Sequence, residues 1–425
     1  MQIHVVESGD TLSELSRLYN IPIEKIMSDN NLSDPSAISI GQALLIAKPT
    51  AADTVRFGDD IYAIAARNGI EVTTLLQMNP ALATRAPIPG ETIALSYGET
   101  KSYSLAVYGY TYNYIDKNVL LTALPYLTYI AVFGYGFDGS GNITQVEDAY
   151  IIEQAHLRGV LVLLSLTTIT DSGMFDNPYT EFLLSEPAFT DRVIDRMVNI
   201  IIEKGADGLD IDMEYVPPGS KEGFIRFVRR AADACHARGL ILNVAVAPKL
   251  YADQPGVLYE AHDYRAIGEY ADTVFLMTYE WGYKYGPPMA VAPLPQVRSV
   301  LEYALTEIPA SKIILGIPNY GYDWKLPFVQ NETMAETLSN VTAAERAGQV
   351  GTDIIFDTDS RSPFYYYNNA ARESHVVWFE DVRSVREKFS LAELKRIYGI
   401  GYWSLMYPFN QNYLYLDGFY NIIKL

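Results

Sequence analysis

A single cysteine, Cys235, among 425 residues excludes an intrachain disulfide and with it the stapled architecture of small secreted domains. It falls on the apolar face of a helical pattern with Phe224, Phe227, Val228, Ala231 and Ala232, so a core thiol is expected rather than a nucleophile. Positive charge is also short, with 32 Lys and Arg against 51 Asp and Glu and a formal net charge of −19. Nucleic acids and anionic membranes demand clustered cations, so neither is expected as a partner. Long apolar runs are missing as well: the best, 159–166, falls far below the roughly 20 residues of a membrane-spanning helix. The start, Met1-Gln2-Ile3-His4, shows no charged segment leading into an apolar one, so no cleavable signal peptide is expected.

What is abundant is ordinary globular composition, 49% hydrophobic and 20% charged, with one excess. The 33 Tyr and 16 Phe exceed the needs of a core. Surplus tyrosine suits flat ligands edged with hydroxyls, such as sugars, and also suits protein interfaces.

Sliding the sequence against itself by 49 positions aligns Gly9 with Gly58, Asp10 with Asp59, Leu12 with Ile61, Asn30 with Asn79 and Gly41 with Gly90, without a gap. Each copy predicts a strand, a Gly-Asp turn capping a helix, a second helix ending near Asn and a final strand, a small βααβ unit. The first copy, from Val5-Val6-Glu7-Ser8-Gly9-Asp10-Thr11-Leu12 through Asn30-Asn31-Leu32 to Ile40-Gly41-Gln42, resembles a LysM domain. That resemblance implies a glycan groove formed by Gly9, Asp10, Thr11 and Leu12 on one side and by Asn30 and the loop to residue 38 on the other. The second copy carries Asp60 for Thr11 and Asn68 for Tyr19. The expected domains are 1–48, 52–97 and 101–425, joined by short linkers at 48–52 and 96–100 that leave them free to reorient.

Beyond residue 100 the pattern changes to apolar runs of strand length alternating with amphipathic helical segments, at 105–110, 129–135, 160–166, 208–211, 240–245, 273–277, 313–317 and 400–405. Eight such alternations predict an α/β fold, a (β/α)8 barrel, and the absence of a Gly-rich phosphate turn argues against a doubly wound sheet. Residues 322–379 are too many for one loop and contain alternating patterns, which predicts a small α+β insertion between the seventh and eighth strands.

The fourth run ends in Asp207-Gly208-Leu209-Asp210-Ile211-Asp212-Met213-Glu214-Tyr215. Period-two alternation points Asp210, Asp212 and Glu214 to one face. Three like charges there are costly and raise at least one pKa, which an acid catalyst uses. Asp-x-Asp-x-Glu also suits an oxygen ligand set for Mg²⁺ or Ca²⁺, and aromatic residues such as Tyr279 and Trp403 also suit a core.

Residues 207–214 match the DGxDxDxE signature, and the chain from about 102 onward resembles family 18 of the glycoside hydrolases, the chitinase-like family. The resemblance implies that Glu214 is the general acid and base. It implies that Asp212 orients the substrate's 2-acetamido group, which attacks the anomeric carbon with retention, and that Asp210 acts beside it. Met277-Thr278-Tyr279 looks like the family's Met-x-Tyr element, with Tyr279 on the acetamido group, and Trp403 like the floor under the sugar. Further substrate contacts are expected from Met277, Glu280, Tyr320 and Trp324. Glu280 stands where the family has Asp, and Ser165-Leu166-Thr167-Thr168 replaces its Ser-x-Gly-Gly. No metal or cofactor is implied.

Paired LysM modules and the Met-Thr-Tyr-Glu-Trp stretch from Met277 to Trp281 resemble the spore cortex-lytic N-acetylglucosaminidases. The resemblance implies a monomeric hydrolase of peptidoglycan strands located in the bacterial spore. A chitinase or a lectin-like glycan binder without activity are the alternatives, since the fold serves both.

Overall fold

A computed structural model describes residues 1–36, 38–101, 103–168 and 179–425. The eight predicted apolar runs form eight parallel strands: Tyr103–Thr111, Tyr129–Tyr135, Leu161–Thr167, Gly208–Asp212, Ile241–Val246, Thr273–Leu276, Ile313–Pro318 and Gly399–Trp403. Each pairs with the next, and the eighth returns to pair with the first, Ile400 opposite Val107, which closes the barrel. The fourth strand is buried along its whole length, because side chains fill the barrel on one face and helices cover the other.

The insertion is a five-stranded antiparallel sheet containing Gly321–Lys325 and Ser374–Trp378, packed with the helix Asn340–Val350. It lies between the seventh and eighth strands, as the length of the intervening chain predicts. No helix among the described residues is long and apolar enough to cross a membrane.

Both N-terminal repeats fold as βααβ units, Gln2–Val5 pairing with Ala43–Ile46 and Ala51–Thr54 with Thr92–Ser96. The helix cap lies one residue past the Gly-Asp turn in each. Thr11 accepts from the Glu14 amide and Asp60 from the Ala63 amide, so the Thr-to-Asp difference between copies exchanges one good N-cap for another. Asp10 and Asp59 instead tighten the turn by accepting from the amides of Glu7 and Arg56.

The modules are not free to reorient. The 48–52 linker already contains the start of a strand at Ala51. Ala43, Leu45 and Ala47 of the first module, Met78 and Ala94 of the second, and Tyr97 just beyond it form one apolar cluster with Val382 and Leu414 of two barrel helices, Val382–Lys395 and Asn410–Phe419. Polar contacts fix the register: the Asn410 amide donates to Asn31 Oδ1 at 2.6 Å, Ser33 Oγ to Glu345 at 2.6 Å, and the Ile354 amide to the Ile40 carbonyl at 2.8 Å. Gln77 of the second module donates to the Pro125 carbonyl at 2.8 Å. Apolar burial between domains favours one arrangement over a string of beads, and each hydrogen bond adds roughly 0.5–1.5 kcal/mol.

Gly41 sits at the tightest point of this seam. A Cβ there would lie 1.9 Å from the Ile354 carbonyl oxygen, whereas at Gly90, its counterpart in the second repeat, a Cβ would meet nothing within 4 Å. Both glycines have positive φ, +82° and +89°, so the backbone strain of a substitution is common to them. Gly41→Ala is therefore expected to destabilise the chain by roughly 1–3 kcal/mol more than Gly90→Ala, the cost of overpacking. Thermal unfolding of the two variants measures the difference; equal losses would mean that the first module does not dock on the insertion.

Candidate active site

The barrel interior below the acids is a polar layer built by strand register. Ser165, Asp210 and Asn243 stand opposite one another on the third, fourth and fifth strands. Asp210 is completely buried and accepts from Ser165 Oγ at 2.5 Å, Asn243 Nδ2 at 2.6 Å and Tyr110 OH at 3.0 Å. Thr273 donates to Asn243 Oδ1 at 2.7 Å and so fixes which way that amide faces. Burial pushes the Asp210 carboxyl above the usual carboxylate range, and the donors pull against it without prevailing.

Asp212 ends the strand, buried at 3% exposure. Burial first, then the neighbouring charges of Glu214 and Asp210, push it well above the usual range. Its Oδ1 is sealed from solvent and no donor among the described residues reaches it, a costly arrangement unless a ligand group satisfies it. Glu214, two residues on and past the strand end, is half-buried. Burial first and the charge of Glu280 second push it up to about 7. The sequence places three like charges together and predicts a raised pKa; the charge acting on Glu214 is that of Glu280, from another strand's end.

Glu280 is open to the cleft at a positive φ of 66°. Its carboxylate accepts from the hydroxyls of Tyr320 and Tyr322, so side chains of the seventh strand's end and of the insertion hold it in place. Tyr279 is 8% exposed, and burial together with the charges of Asp212 and Glu214 raises its hydroxyl well above the tyrosine range, keeping it a hydrogen-bond donor. Met277 and Trp403 are half-buried at the strand ends. Trp403 makes T-shaped contacts with Tyr110, Tyr112 and Phe133 at centroid separations of 5.4, 6.1 and 5.1 Å, which fix the orientation of its indole.

Trp324 does not join them. It is fully buried and donates its indole N–H to the Gly286 carbonyl at 2.9 Å, so it braces the insertion against the barrel and cannot touch substrate. In the first module Leu12 is core at 2% exposure. Asn30, also buried, clamps the second helix to the last strand through the carbonyls of Ile26 and Leu45 and the Leu45 amide. Neither side chain is available to a glycan; Gly9, Asp10 and Thr11 lie nearer the surface.

The structure adds groups that the sequence reading lacks. Tyr110 and Asn243 hold Asp210, and Asn243 is the lone polar residue in its strand, a signal visible before folding. His262 accepts from the Ala247 amide at Nδ1, which leaves Nε2 to donate to the Met213 carbonyl at 3.2 Å. Burial pulls that imidazole down to about 4, so it stays neutral and pins the segment carrying Glu214. Thr168, one of the two departures at the end of the third strand, is also tied to this segment, donating to the Glu214 carbonyl at 3.4 Å.

A carboxyl that holds its proton up to about 7 can serve as a general acid, and in that role it would give a basic limb, kcat/KM falling as pH rises through about 7 and Glu214 loses its proton. Removing the charge of Glu280 lets Glu214 ionise more easily, so Glu280→Gln is expected to shift that limb to lower pH. A pH–rate profile with an unmoved or raised limb would contradict this electrostatic assignment.

Comparison with known proteins gives the family. Residues 101–407 match glycosyl hydrolases family 18, and residues 4–47 and 54–96 each match the LysM domain. The chain is 35% identical over 439 residues to the cortical fragment-lytic enzyme of Bacillus subtilis (strain 168), covering 100% of this chain and 99% of the relative. It superposes on the crystal structure of the Bacillus megaterium QM B1551 spore cortex-lytic enzyme SleL with a TM-score of 0.84 at 32% identity, covering 100% and 99% of the two chains. For the Bacillus cereus SleL structure the TM-score is 0.83 at 31% identity, with the same coverage. This chain is a glycoside hydrolase: it belongs to glycosyl hydrolases family 18 and carries two LysM domains ahead of its catalytic barrel.

Proposed function

We propose that the chain hydrolyses spore-cortex peptidoglycan, cutting the β-1,4 bond after N-acetylglucosamine with retention of configuration. The observation that carries this reading is the buried, partnerless Oδ1 of Asp212 beside a Glu214 pushed up to about 7. An acetamido N–H is a fitting donor for that oxygen, and a protonated Asp212 still offers one oxygen as acceptor. In the first step Glu214 gives its proton to the glycosidic oxygen. The acetamido carbonyl oxygen attacks the anomeric carbon as the glycosidic bond breaks, forming a cyclic oxazolinium ion. Tyr279 donates to the acetamido group and Trp403 supports the sugar ring. Glu214, now ionised, takes a proton from water; the hydroxide adds to the anomeric carbon, reopens the ring and restores the configuration.

The relatives named as cortical fragment-lytic and cortex-lytic enzymes align with this chain end to end, which supports cortex as the substrate and the spore as the location. The bond follows from chemistry. Muramic lactam in cortex lacks an acetamido group, so substrate assistance requires N-acetylglucosamine at the cleaved position. The LysM modules retain the chain on glycan. On this reading the chain is a monomer, since the barrel closes on itself and both modules dock on it.

Mass spectrometry of digested cortex fragments tests the bond: fragments ending in reducing N-acetylglucosamine are expected, and reducing-end N-acetylmuramic acid would refute the assignment. Glu214→Gln is expected to lower turnover by about 10²–10⁴-fold, the usual contribution of a positioned general acid, while sparing binding. A wild-type chain that binds fragments without cutting them would favour the lectin-like reading.

A further inference from the structure

The two repeats use the same loop in different ways. In the first module the loop after the second helix is spent on the barrel, through Asn31, and on the insertion, through Ser33 and Ile40. Forty-nine residues on, the corresponding stretch of the second module, from Asn79 to Gly90, faces the first module instead and forms one wall of a cleft of about 700 Å³. The opposite wall is the first module's Asn20-Ile21-Pro22 turn and its second helix, Ile23–Asp29, and the chain between the modules, Lys48 and Pro49, also lines it.

Side-chain bonding makes this cleft a built feature rather than a gap between loose domains. Lys25 donates to both oxygens of Asp29, at 3.0 and 2.8 Å, and to Tyr97 OH at 2.9 Å, while Tyr97 donates on to the Met78 carbonyl at 2.8 Å. That chain of bonds ties the helix lining one wall to the second module. The volume falls within the roughly 300–1,000 Å³ typical of small-ligand sites.

The lining also selects for chemistry. Lys25, Lys48 and Arg85 balance Glu24, Asp29 and Glu91, so the cleft is neutral in a chain whose formal net charge is −19. Lys25 and Arg85 are already paired, with Asp29 and Glu91. Between these charges the apolar surface is that of Pro22 and Ile88, the latter 58% exposed, while Ile21, Leu82 and Ile93 lie beneath it in the modules' own cores. A neutral ligand with apolar faces and hydrogen-bonding edges fits this lining, and a polyanion does not.

We propose that the cleft between the two modules is a glycan site, taking a short run of N-acetylated amino sugars separately from any groove within a single repeat. The inference rests on the proposed action on such glycans. It places the bound strand at a fixed position relative to the catalytic barrel, because both modules are docked on it.

The test uses the full chain with Glu214→Gln, labelled on isoleucine methyl groups and titrated with the hexamer of N-acetylglucosamine. The Ile88 methyl resonances are expected to shift and saturate, followed by those of Ile21 and Ile93 packed beneath the walls, and Ile88→Glu in the same background is expected to abolish those shifts. Unmoved methyls, shifts confined to Ile61 beside the second module's own turn, or shifts that survive Ile88→Glu would overturn the proposal. Turnover by the wild-type chain, measured separately, distinguishes the two readings. Methyl shifts without hydrolysis would sink only the catalytic one; hydrolysis with silent methyls would sink only the cleft.

Discussion

Asp210 and Asp212 are buried on the same face of one strand, and everything around them answers the cost of placing them there. A buried carboxylate is affordable only with donors or with a proton. Asp210 has the donors: Ser165, Asn243 and Tyr110, with Thr273 orienting Asn243. Asp212 has none at Oδ1, and its carboxyl is held well above the usual range. The unequal treatment of two acids on one face leaves an unsatisfied oxygen on Asp212, while the charge that raises Glu214 comes from Glu280. As strongly interacting groups, the three acids titrate as a set rather than singly.

The same logic explains the shell. His262 is kept neutral by burial and pins the Met213 carbonyl, so the segment after the strand does not drift. Glu280 is held by tyrosines from the seventh strand's end and the insertion, which makes the inserted sheet part of the electrostatics of the barrel. Trp324 braces that sheet from within. Docking extends the rigid frame further, since the apolar cluster of Leu45, Met78, Tyr97, Val382 and Leu414 joins both modules to the barrel.

Much of this was legible in the sequence because the signals are periodic. Eight apolar runs at strand length specify the barrel, and the 49-residue offset specifies the repeats. The acid run specified its own face, because alternation on a strand fixes which side chains share a side. What was not legible depends on contacts far apart in the chain. Nothing near Asp210 in sequence announces Tyr110 or Asn243, although Asn243 is the one polar residue of its strand. Trp324 is expected from sequence among the substrate contacts, yet its indole N–H finds the Gly286 carbonyl 38 residues away and the ring is enclosed. The segments at 48–52 and 96–100 looked like free linkers because local composition carries no record of the apolar faces they bring together.

The central claim is that the chain's acids handle protons while the substrate's own acetamido oxygen is the nucleophile. Its most direct test compares hydrolysis of two soluble oligosaccharides that differ only in whether the sugar at the cleaved position is N-acetylated or carries a free amine. The account predicts rapid cleavage of the first and essentially none of the second at equal occupancy of the site. Comparable kcat on both would contradict it and would require a nucleophile from the protein.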